Sequence, residues 1–148
     1  MCLLLGGKHL WNSYNGQASM NRIIILNEEL ESQMRMYLAL CDRFRVDIAE
    51  DEANLMRMIR RKKPRVVMLD ANFSGFNNNG KSVYKTIEKI KKKYQDLKII
   101  TIVDGSDRRT LDKIYEVGSD GILMKPIEES DVIQSVVDVL SPVVASYN

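Results

Sequence analysis

The sequence of 148 residues predicts an α/β protein: a doubly wound (βα)5 sandwich of three layers, with a parallel sheet in the strand order 2-1-3-4-5. Short, continuous apolar runs, typical of strands covered on both faces, alternate with segments of helical periodicity. In addition, lone polar residues fall just past the ends of three of these runs, at residues 27–29, 70 and 125–126. Short helical crossovers with right-handed connections favour a single parallel sheet.

The predicted strands are the short apolar segments of this pattern. The second one alternates between apolar and polar residues, which suits an edge strand, whereas the others are continuous. In the predicted order the first and third strands are neighbours at the switch point, and the fifth lies two places further on. The segments are residues 22–26, 45–48, 65–69, 99–103 and 121–124.

Five helices are predicted where apolar residues recur three and four positions apart. Asp51 is expected to cap the second helix, Gly118 to stop the fourth and Pro142 to end the fifth. Residues 71–80, with two glycines and a run of three asparagines, are expected to form a loop. Residues expected to face or fill the core are Met34, Tyr37, Leu38 and Cys41; Leu55 and Ile59; Met68; Val83, Ile87 and Ile90; Leu111, Ile114 and Tyr115; Met124; and Val132, Ile133, Val136, Val137 and Leu140.

Composition is that of a water-soluble domain with one hydrophobic core. The chain is 45% hydrophobic and 28% charged, with a formal net charge of +2. No apolar run approaches the roughly 18–20 residues of a membrane span. The two cysteines, Cys2 and Cys41, make neither a disulfide framework nor a metal-binding spacing, which suits a reducing compartment. We therefore expect a cytoplasmic protein without a membrane partner.

Two basic runs, residues 57–65 and 85–93, raise the question of nucleic-acid binding. We interpret them as solvated helix faces and as positive charges at helix C-termini. Aromatic residues are not interleaved with them as stacking platforms would be. No direct nucleic-acid partner is expected.

The expected organisation is an N-terminal extension over residues 1–19, a core domain over residues 20–141 and a C-terminal tail over residues 142–148. The extension holds three consecutive leucines, the only tryptophan and the only histidine, and does not follow the strand–helix pattern. It is either a poorly packed extension or a docking segment led by its apolar residues.

The polar residues after the strands predict a functional site. Because the carboxyl ends of parallel strands form the ligand crevice, Glu28, Asp70 and Lys125 are expected to meet in one carboxylate–lysine site. Asp70 alone could also be a loop cap. Glu28 and Glu29 could also be acids in the first turn of a helix, stabilised by its dipole.

The chain follows a (βα)5 pattern, with Asp70 at the end of the third strand and Lys125-Pro126 at the end of the fifth. On these features it resembles the response-regulator receiver domain from Arg22 to about Leu140. The resemblance implies a flavodoxin-like fold and a phosphoryl group passed from a histidine kinase or phosphotransfer protein to Asp70. It implies that Lys125 pairs with phosphoryl oxygens and that Pro126 follows a cis peptide bond. It implies a signalling protein rather than an enzyme, with only self-phosphorylation and self-dephosphorylation chemistry.

The resemblance also implies a magnesium ion held by Glu28, Asp70 and the backbone carbonyl of Asn72. Asn27 and Glu29 are further candidate ligands. Asn27 stands where the family usually has an acid, and Glu28 is longer than the usual aspartate. Because magnesium is strict about ligand geometry, we expect weak binding.

Two switch positions depart from the family pattern. Val103 aligns with the hydroxyl residue at the end of the fourth strand, and Ile122 aligns with the aromatic residue of the fifth. Thr101 could supply the hydroxyl if the alignment slips by two residues. Asp104 adds a negative charge near the mouth of the site, which should repel an incoming phosphoryl group.

The function predicted is that of a single-domain response regulator in a two-component phosphorelay, phosphorylated on Asp70 and signalling through an unknown downstream protein. The same departures motivate the alternative, a pseudo-receiver that binds a partner without being phosphorylated. A flavin or nucleotide binder is disfavoured because no glycine-rich phosphate loop follows the first strand.

Overall fold

The computed structural model describes residues 21–78, 82–105 and 107–141. The strands are β1 (Arg22–Leu26), β2 (Arg45–Ala49), β3 (Val66–Asp70), β4 (Lys98–Val103) and β5 (Gly121–Met124). The longer helices are α1 (Leu30–Leu40), α2 (Glu52–Lys62), α3 (Val83–Lys93), α4 (Arg108–Glu116) and α5 (Glu129–Leu140). The expected extension, residues 1–19, and the expected tail, residues 142–148, lie outside the described residues.

The described strands form one parallel sheet in the order β2-β1-β3-β4-β5, so the predicted topology is confirmed. Leu26 of β1 pairs with Leu69 of β3, and Asp70 pairs with Ile102 of β4. Val103 pairs with Met124 at the end of β5. This register places the residues that follow β1, β3 and β5 at the same edge of the sheet.

Two apolar layers lie on opposite faces of the sheet, which makes the predicted three-layer sandwich. Alternate residues of each strand point to each face, as the period of a strand requires. One layer holds Ile24 and Leu69 with Leu55 and Ile59 of α2 and Ile87 of α3. The other holds residues of β1 and β3 with residues of α1 and α5; they are Ile23, Ile25, Val66, Met68, Met36, Leu40, Val132 and Val136.

Helix ends follow the chemistry expected from the sequence. The side chain of Asp51 accepts a hydrogen bond of 2.7 Å from the backbone N–H of Asn54 and caps α2. Gly118, two residues beyond α4, has a φ of +123°, which only glycine adopts without strain. The loop prediction for residues 71–80 was incomplete, because Gly75–Asn78 form a short helical turn.

The structure corrects several predicted core residues. Met34, Tyr37 and Leu38 of α1 are exposed, and the core side of this helix carries Met36 and Leu40 instead. Their periodicity was correctly interpreted as helical, but the stripe lies on the solvent side. Further residues that were expected in the core and are exposed are Tyr115, Met124, Ile133 and Val137.

Cys41, which directly follows α1, is disulfide-bonded. The sequence had suggested that neither cysteine takes part in a disulfide framework, so this bond is a departure from that expectation. None of the helices within residues 21–78, 82–105 and 107–141 has the length and apolar character needed to cross a bilayer.

Candidate functional site

Asp70 lies at the centre of a polar cluster at the carboxyl edge of the sheet. The residue is 2% exposed, and its carboxylate contacts groups from three segments. Oδ2 lies 3.0 Å from Nζ of Lys125 and accepts a hydrogen bond of 2.8 Å from Nδ2 of Asn27. Oδ1 accepts a hydrogen bond of 2.8 Å from the backbone N–H of Asn72. The charge of Asp70 is therefore paired, and both of its oxygens accept hydrogen bonds.

Lys125 reaches Asp70 from the loop after β5. Its backbone N–H donates to the carbonyl oxygen of Val103, which continues the β4–β5 pairing by one residue. The peptide bond between Lys125 and Pro126 is cis. The Lys125 side chain is largely buried, and its Nζ also lies 3.8 Å from Oε1 of Glu29. The ammonium group thus lies between a buried and an exposed carboxylate.

The orientation of the Asn27 side chain follows from its hydrogen bonds. The side-chain oxygen accepts a hydrogen bond of 2.9 Å from the backbone N–H of Glu29, so the amide nitrogen faces Asp70. Asn27 is buried, and its backbone oxygen accepts a hydrogen bond from the side chain of Gln33. The position where the family usually has an acid therefore presents a hydrogen-bond donor to Asp70.

The side chain of Glu28 contacts the loop that follows β3. Its carboxylate accepts hydrogen bonds from Ser74, 2.9 Å from the backbone nitrogen and 2.8 Å from the hydroxyl oxygen. Ser74 was missed in the sequence, because the loop prediction gave no reason to single out one polar residue of residues 71–80. The signal that the sequence offered for this contact was the serine hydroxyl four residues after Asp70.

These donors fit a tight magnesium site poorly. Magnesium takes oxygen ligands in near-octahedral geometry. The nearest atom of Asn27 to Asp70 is a nitrogen, the carboxylate of Glu28 is bonded to Ser74, and Lys125 already pairs with Asp70. The described part of the chain has no group of three histidine, cysteine or acidic side chains arranged to hold a metal. Metal ligation by Glu28, Asp70, Asn72, Asn27 or Glu29 stays a prediction.

Comparison with known proteins identifies the family. Residues 23–137 match the family model of the response regulator receiver domain, which is more than half of the chain. The chain belongs to this family. The receiver matches no curated protein sequence.

The receiver is also similar to solved structures of response regulators. One from Thermotoga maritima superposes with a TM-score of 0.72 at 20% identity, over 82% of this chain and 98% of that one. The chemotaxis response regulator CheY4 of Vibrio cholerae superposes with a TM-score of 0.70 at 15% identity, over 81% of this chain and 98% of that one. A two-component response regulator from Clostridium difficile superposes with a TM-score of 0.72 at 15% identity, over 84% of this chain and 98% of that one. At such low identity these likenesses show the fold alone.

The two switch positions of the receiver lie at the ends of β4 and β5. Val103 is 1% exposed and belongs to the apolar layer that also contacts Ile122. Thr101 does not supply a hydroxyl to the site, because its side chain is fully buried and lies 2.8 Å from the hydroxyl of Ser119. Among the residues that end β4, the hydroxyl expected from the family is therefore replaced by apolar surface.

The loop after β4 carries two acids at the carboxyl edge of the sheet. Asp104 is exposed, and Gly105 has a φ of +58°. Asp107 caps α4 by accepting a hydrogen bond of 2.9 Å from the backbone N–H of Thr110, and this bond lowers the pKa of the Asp107 carboxyl. Because the pKa of Asp107 is lower in the folded state than in the unfolded state, the ionised carboxyl stabilises the fold at pH values above the unfolded pKa. This stabilisation is lost as the pH falls through the folded pKa.

Proposed function

We propose that this receiver domain accepts a phosphoryl group on Asp70 in a two-component phosphorelay. The observation that supports the proposal is the distance of 3.0 Å between Oδ2 of Asp70 and Nζ of Lys125 at the carboxyl edge of the sheet. A buried ion pair contributes little net stability compared with apolar residues, so stability alone is a weak reason for this pair. A nucleophilic carboxylate beside a fixed ammonium group suits phosphoryl transfer.

The chemistry is a displacement at phosphorus. A carboxylate oxygen of Asp70 forms a bond to the phosphorus of a phosphohistidine, and the phosphorus–nitrogen bond breaks. The electron pair of that bond stays on the imidazole, which takes up a proton, and Asp70 carries an acyl phosphate. Lys125 offsets the added negative charge as a point charge that is already in place. The Asn27 amide is a further donor beside Oδ2.

The magnesium ion implied by the family would supply further neutralising charge. The donor set described above does not form a tight cage for it, so no step of this mechanism depends on it. We expect weak binding, with Glu28, Asp70 and the Asn72 carbonyl as ligands once Glu28 leaves Ser74.

The signalling partners belong to the same proposal. A histidine kinase or phosphotransfer protein supplies the phosphoryl group, and a downstream protein recognises the loop after β4, α4 and the end of β5. Tyr115 and Met124 on this side are exposed apolar residues that a partner could cover. A cytoplasmic location stays a prediction.

Incubation with acetyl phosphate and magnesium tests the proposal. We expect the intact mass to increase by one phosphoryl group in the wild-type protein but not in Asp70→Asn. Asp120→Asn is a matched control, since Asp120 also pairs with a lysine, at 2.9 Å from Lys91, but lies elsewhere on the surface. Phosphorylation of Asp70→Asn to the same extent as the wild type would contradict the assignment.

A pseudo-receiver is the second candidate function. The hydrogen bond of 2.8 Å from the Asn27 amide to Asp70 favours it, because a neutral donor satisfies the carboxylate without a metal ion. In this case the domain binds its partner without phosphorylation. The pseudo-receiver hypothesis predicts that neither acetyl phosphate nor any histidine kinase increases the mass of the protein by a phosphoryl group. It also predicts that Asp70→Asn binds the partner as well as the wild type does.

Replacing Val103 by threonine should favour the phosphorylated state. A hydroxyl at the end of β4 can donate to a phosphoryl oxygen, and a hydrogen bond to a charged group contributes roughly 1.5–3 kcal/mol, about tenfold or more in an equilibrium constant. The measurement is the ratio of phosphorylated to unphosphorylated protein at a fixed concentration of acetyl phosphate. Val103→Ala removes volume without adding a hydroxyl and should not raise this ratio. An equal ratio in Val103→Thr and wild type would exclude the role assigned to position 103.

A further inference from the structure

A cleft of about 1070 Å³ lies at the amino edge of the sheet, opposite the edge that carries Asp70. Arg65 directly precedes β3, and its backbone oxygen accepts a hydrogen bond of 3.0 Å from the backbone N–H of Lys98 at the start of β4. A cleft of this size can hold a small-molecule ligand. Five basic side chains and one acidic side chain line it, namely Arg60, Lys63, Arg65, Lys93 and Lys98 with Asp96. This basic cleft therefore has a surplus of four positive charges.

The basic side chains come together because α2 and α3 both end at this edge of the sheet. The last turn of each helix carries three consecutive basic residues, 60–62 in α2 and 91–93 in α3. Between the two helix ends the cleft is lined by apolar side chains, among them the buried Ile59 and Leu97. Tyr94 adds an aromatic ring, whose centroid lies 5.6 Å from Nζ of Lys93. The basic cleft thus combines cations with an apolar and aromatic wall.

Helix dipoles offset only part of this charge. Each helix C-terminus carries about half a negative charge, so the helices that end at the cleft cannot balance four cations. Two other lysines of the same last turns are already paired, Lys62 with Asp47 at 3.1 Å and Lys91 with Asp120 at 2.9 Å. Among the residues that the structure describes, none of the five basic side chains of the cleft forms an ion pair. Cations without acidic partners suit a ligand with several negative charges.

The backbone of Lys63 adds an independent observation. Lys63 ends α2 with a φ of +49°, and no other non-glycine residue of the described ranges has a positive φ. Glycine is the usual residue at such a helix end, because it has no Cβ to clash in the left-handed conformation. Lysine therefore has a conformational cost here that glycine would not have, and its side chain lines the cleft.

We propose that the basic cleft binds an organic polyphosphate of the nucleoside-triphosphate class. The phosphate oxygens accept charge-assisted hydrogen bonds from the arginine and lysine side chains. The base lies on the apolar wall beside Tyr94, which a bare phosphate chain would leave uncovered. The glycine-rich loop that is missing after β1 is not needed, because side-chain cations at the opposite edge hold the phosphates. β3 separates the cleft from Asp70 by five residues, about 16 Å, so binding does not depend on phosphorylation.

Calorimetric titration of the full chain with ATP, in EDTA and without a phosphodonor, tests the proposal. We expect saturable binding of one ATP per chain. The double variant Arg60→Gln/Lys93→Gln should lower the affinity about tenfold, since each exposed ion pair contributes up to about 1 kcal/mol. The matched control is Arg61→Gln/Lys92→Gln, which removes two exposed cations from the same last turns but from residues that do not line the cleft. Its affinity should stay within about twofold of the wild type.

Lys63→Gly separates binding from the role of Lys63 in ending the helix. Glycine accepts the positive φ, so the melting temperature should rise. The affinity for ATP should fall about threefold, because one cation of the cleft is lost. A residue that only ends a helix would not shift stability and affinity in opposite directions, and unchanged affinity in this variant would contradict the assignment.

Four further results would overturn the proposal. The first is the absence of saturable ATP binding to the wild-type protein. The second is an equal loss of affinity in the two double variants, since the effect would then be one of overall charge. The third is inorganic triphosphate binding as tightly as ATP, because the apolar wall would then contribute nothing. The fourth is a single-stranded oligonucleotide that binds more tightly than ATP, since the surface would then take nucleic acid.

Discussion

Lys125→Met is expected to lower the free energy of unfolding by about 3–5 kcal/mol, the usual loss when one partner of a buried ion pair is removed. The Asp70 side chain is only 3% exposed, so water cannot replace the ammonium group 3.0 Å away. The remaining donors, the Asn27 amide and the Asn72 backbone N–H, are neutral. Urea unfolding followed by circular dichroism measures the change.

Two further variants separate the effect of breaking the ion pair on stability from the effect of removing the lysine side chain. In the double variant Asp70→Asn/Lys125→Met most of the stability should return, because no unpaired charge is left. Lys91→Met breaks a comparison ion pair, in which Lys91 and Asp120 are each about a fifth exposed. Solvent can hydrate the remaining Asp120 carboxylate, so the loss of free energy of unfolding should be smaller than in Lys125→Met. A double variant as unstable as Lys125→Met would contradict this explanation.

Asn27→Asp is expected to have the second largest effect and to reverse the poor fit to magnesium. It replaces the hydrogen bond of 2.8 Å to Asp70 by two facing carboxylates, so without metal the free energy of unfolding should fall by roughly 1–3 kcal/mol. Magnesium should recover this loss, because the variant supplies an oxygen ligand where the wild type has a nitrogen. Magnesium affinity, measured by calorimetry, should rise about tenfold or more, equivalent to about 1.4 kcal/mol.

The control is Asn54→Asp. Asn54 is partly exposed, and its side-chain oxygen accepts a hydrogen bond of 2.9 Å from the backbone N–H of Glu50, which an aspartate can also accept. This variant adds the same charge at a residue that makes none of the contacts with Asp70 described above, and it should change neither stability nor magnesium affinity by much. If Asn27→Asp binds magnesium no better than the wild type, the Asn27 amide does not set the metal affinity of the site.

Strand order and the proximity of Asp70 and Lys125 could be predicted because both depend on local patterns. The apolar runs of β1, β3 and β4 are covered on both faces and are therefore continuous in sequence. Parallel pairing then places Asp70 and Lys125 at one edge of the sheet, whatever the details of the loops. The amide orientation of Asn27 and the bond between Glu28 and Ser74 could not be predicted, since they depend on loop geometry.

The apolar stripe of α1 shows a further limit of sequence reasoning. Met34, Tyr37 and Leu38 have the spacing of a core-facing stripe, and the rival stripe through Met36 and Leu40 is shorter. Periodicity identifies a helix with an apolar side but does not say what covers that side. Here the core takes the rival stripe, and the longer one is exposed in the described residues.

Borohydride trapping tests the central claim most directly. An acyl phosphate is an activated carboxyl group, so hydride reduces a phosphorylated aspartate to homoserine, which peptide mass spectrometry locates in the sequence. After treatment with acetyl phosphate we predict homoserine at position 70, and aspartate unchanged at positions 104 and 107. Reduction at another carboxylate, or unmodified Asp70 under conditions that phosphorylate a control response regulator, would contradict the assignment of Asp70 as the phosphoryl acceptor.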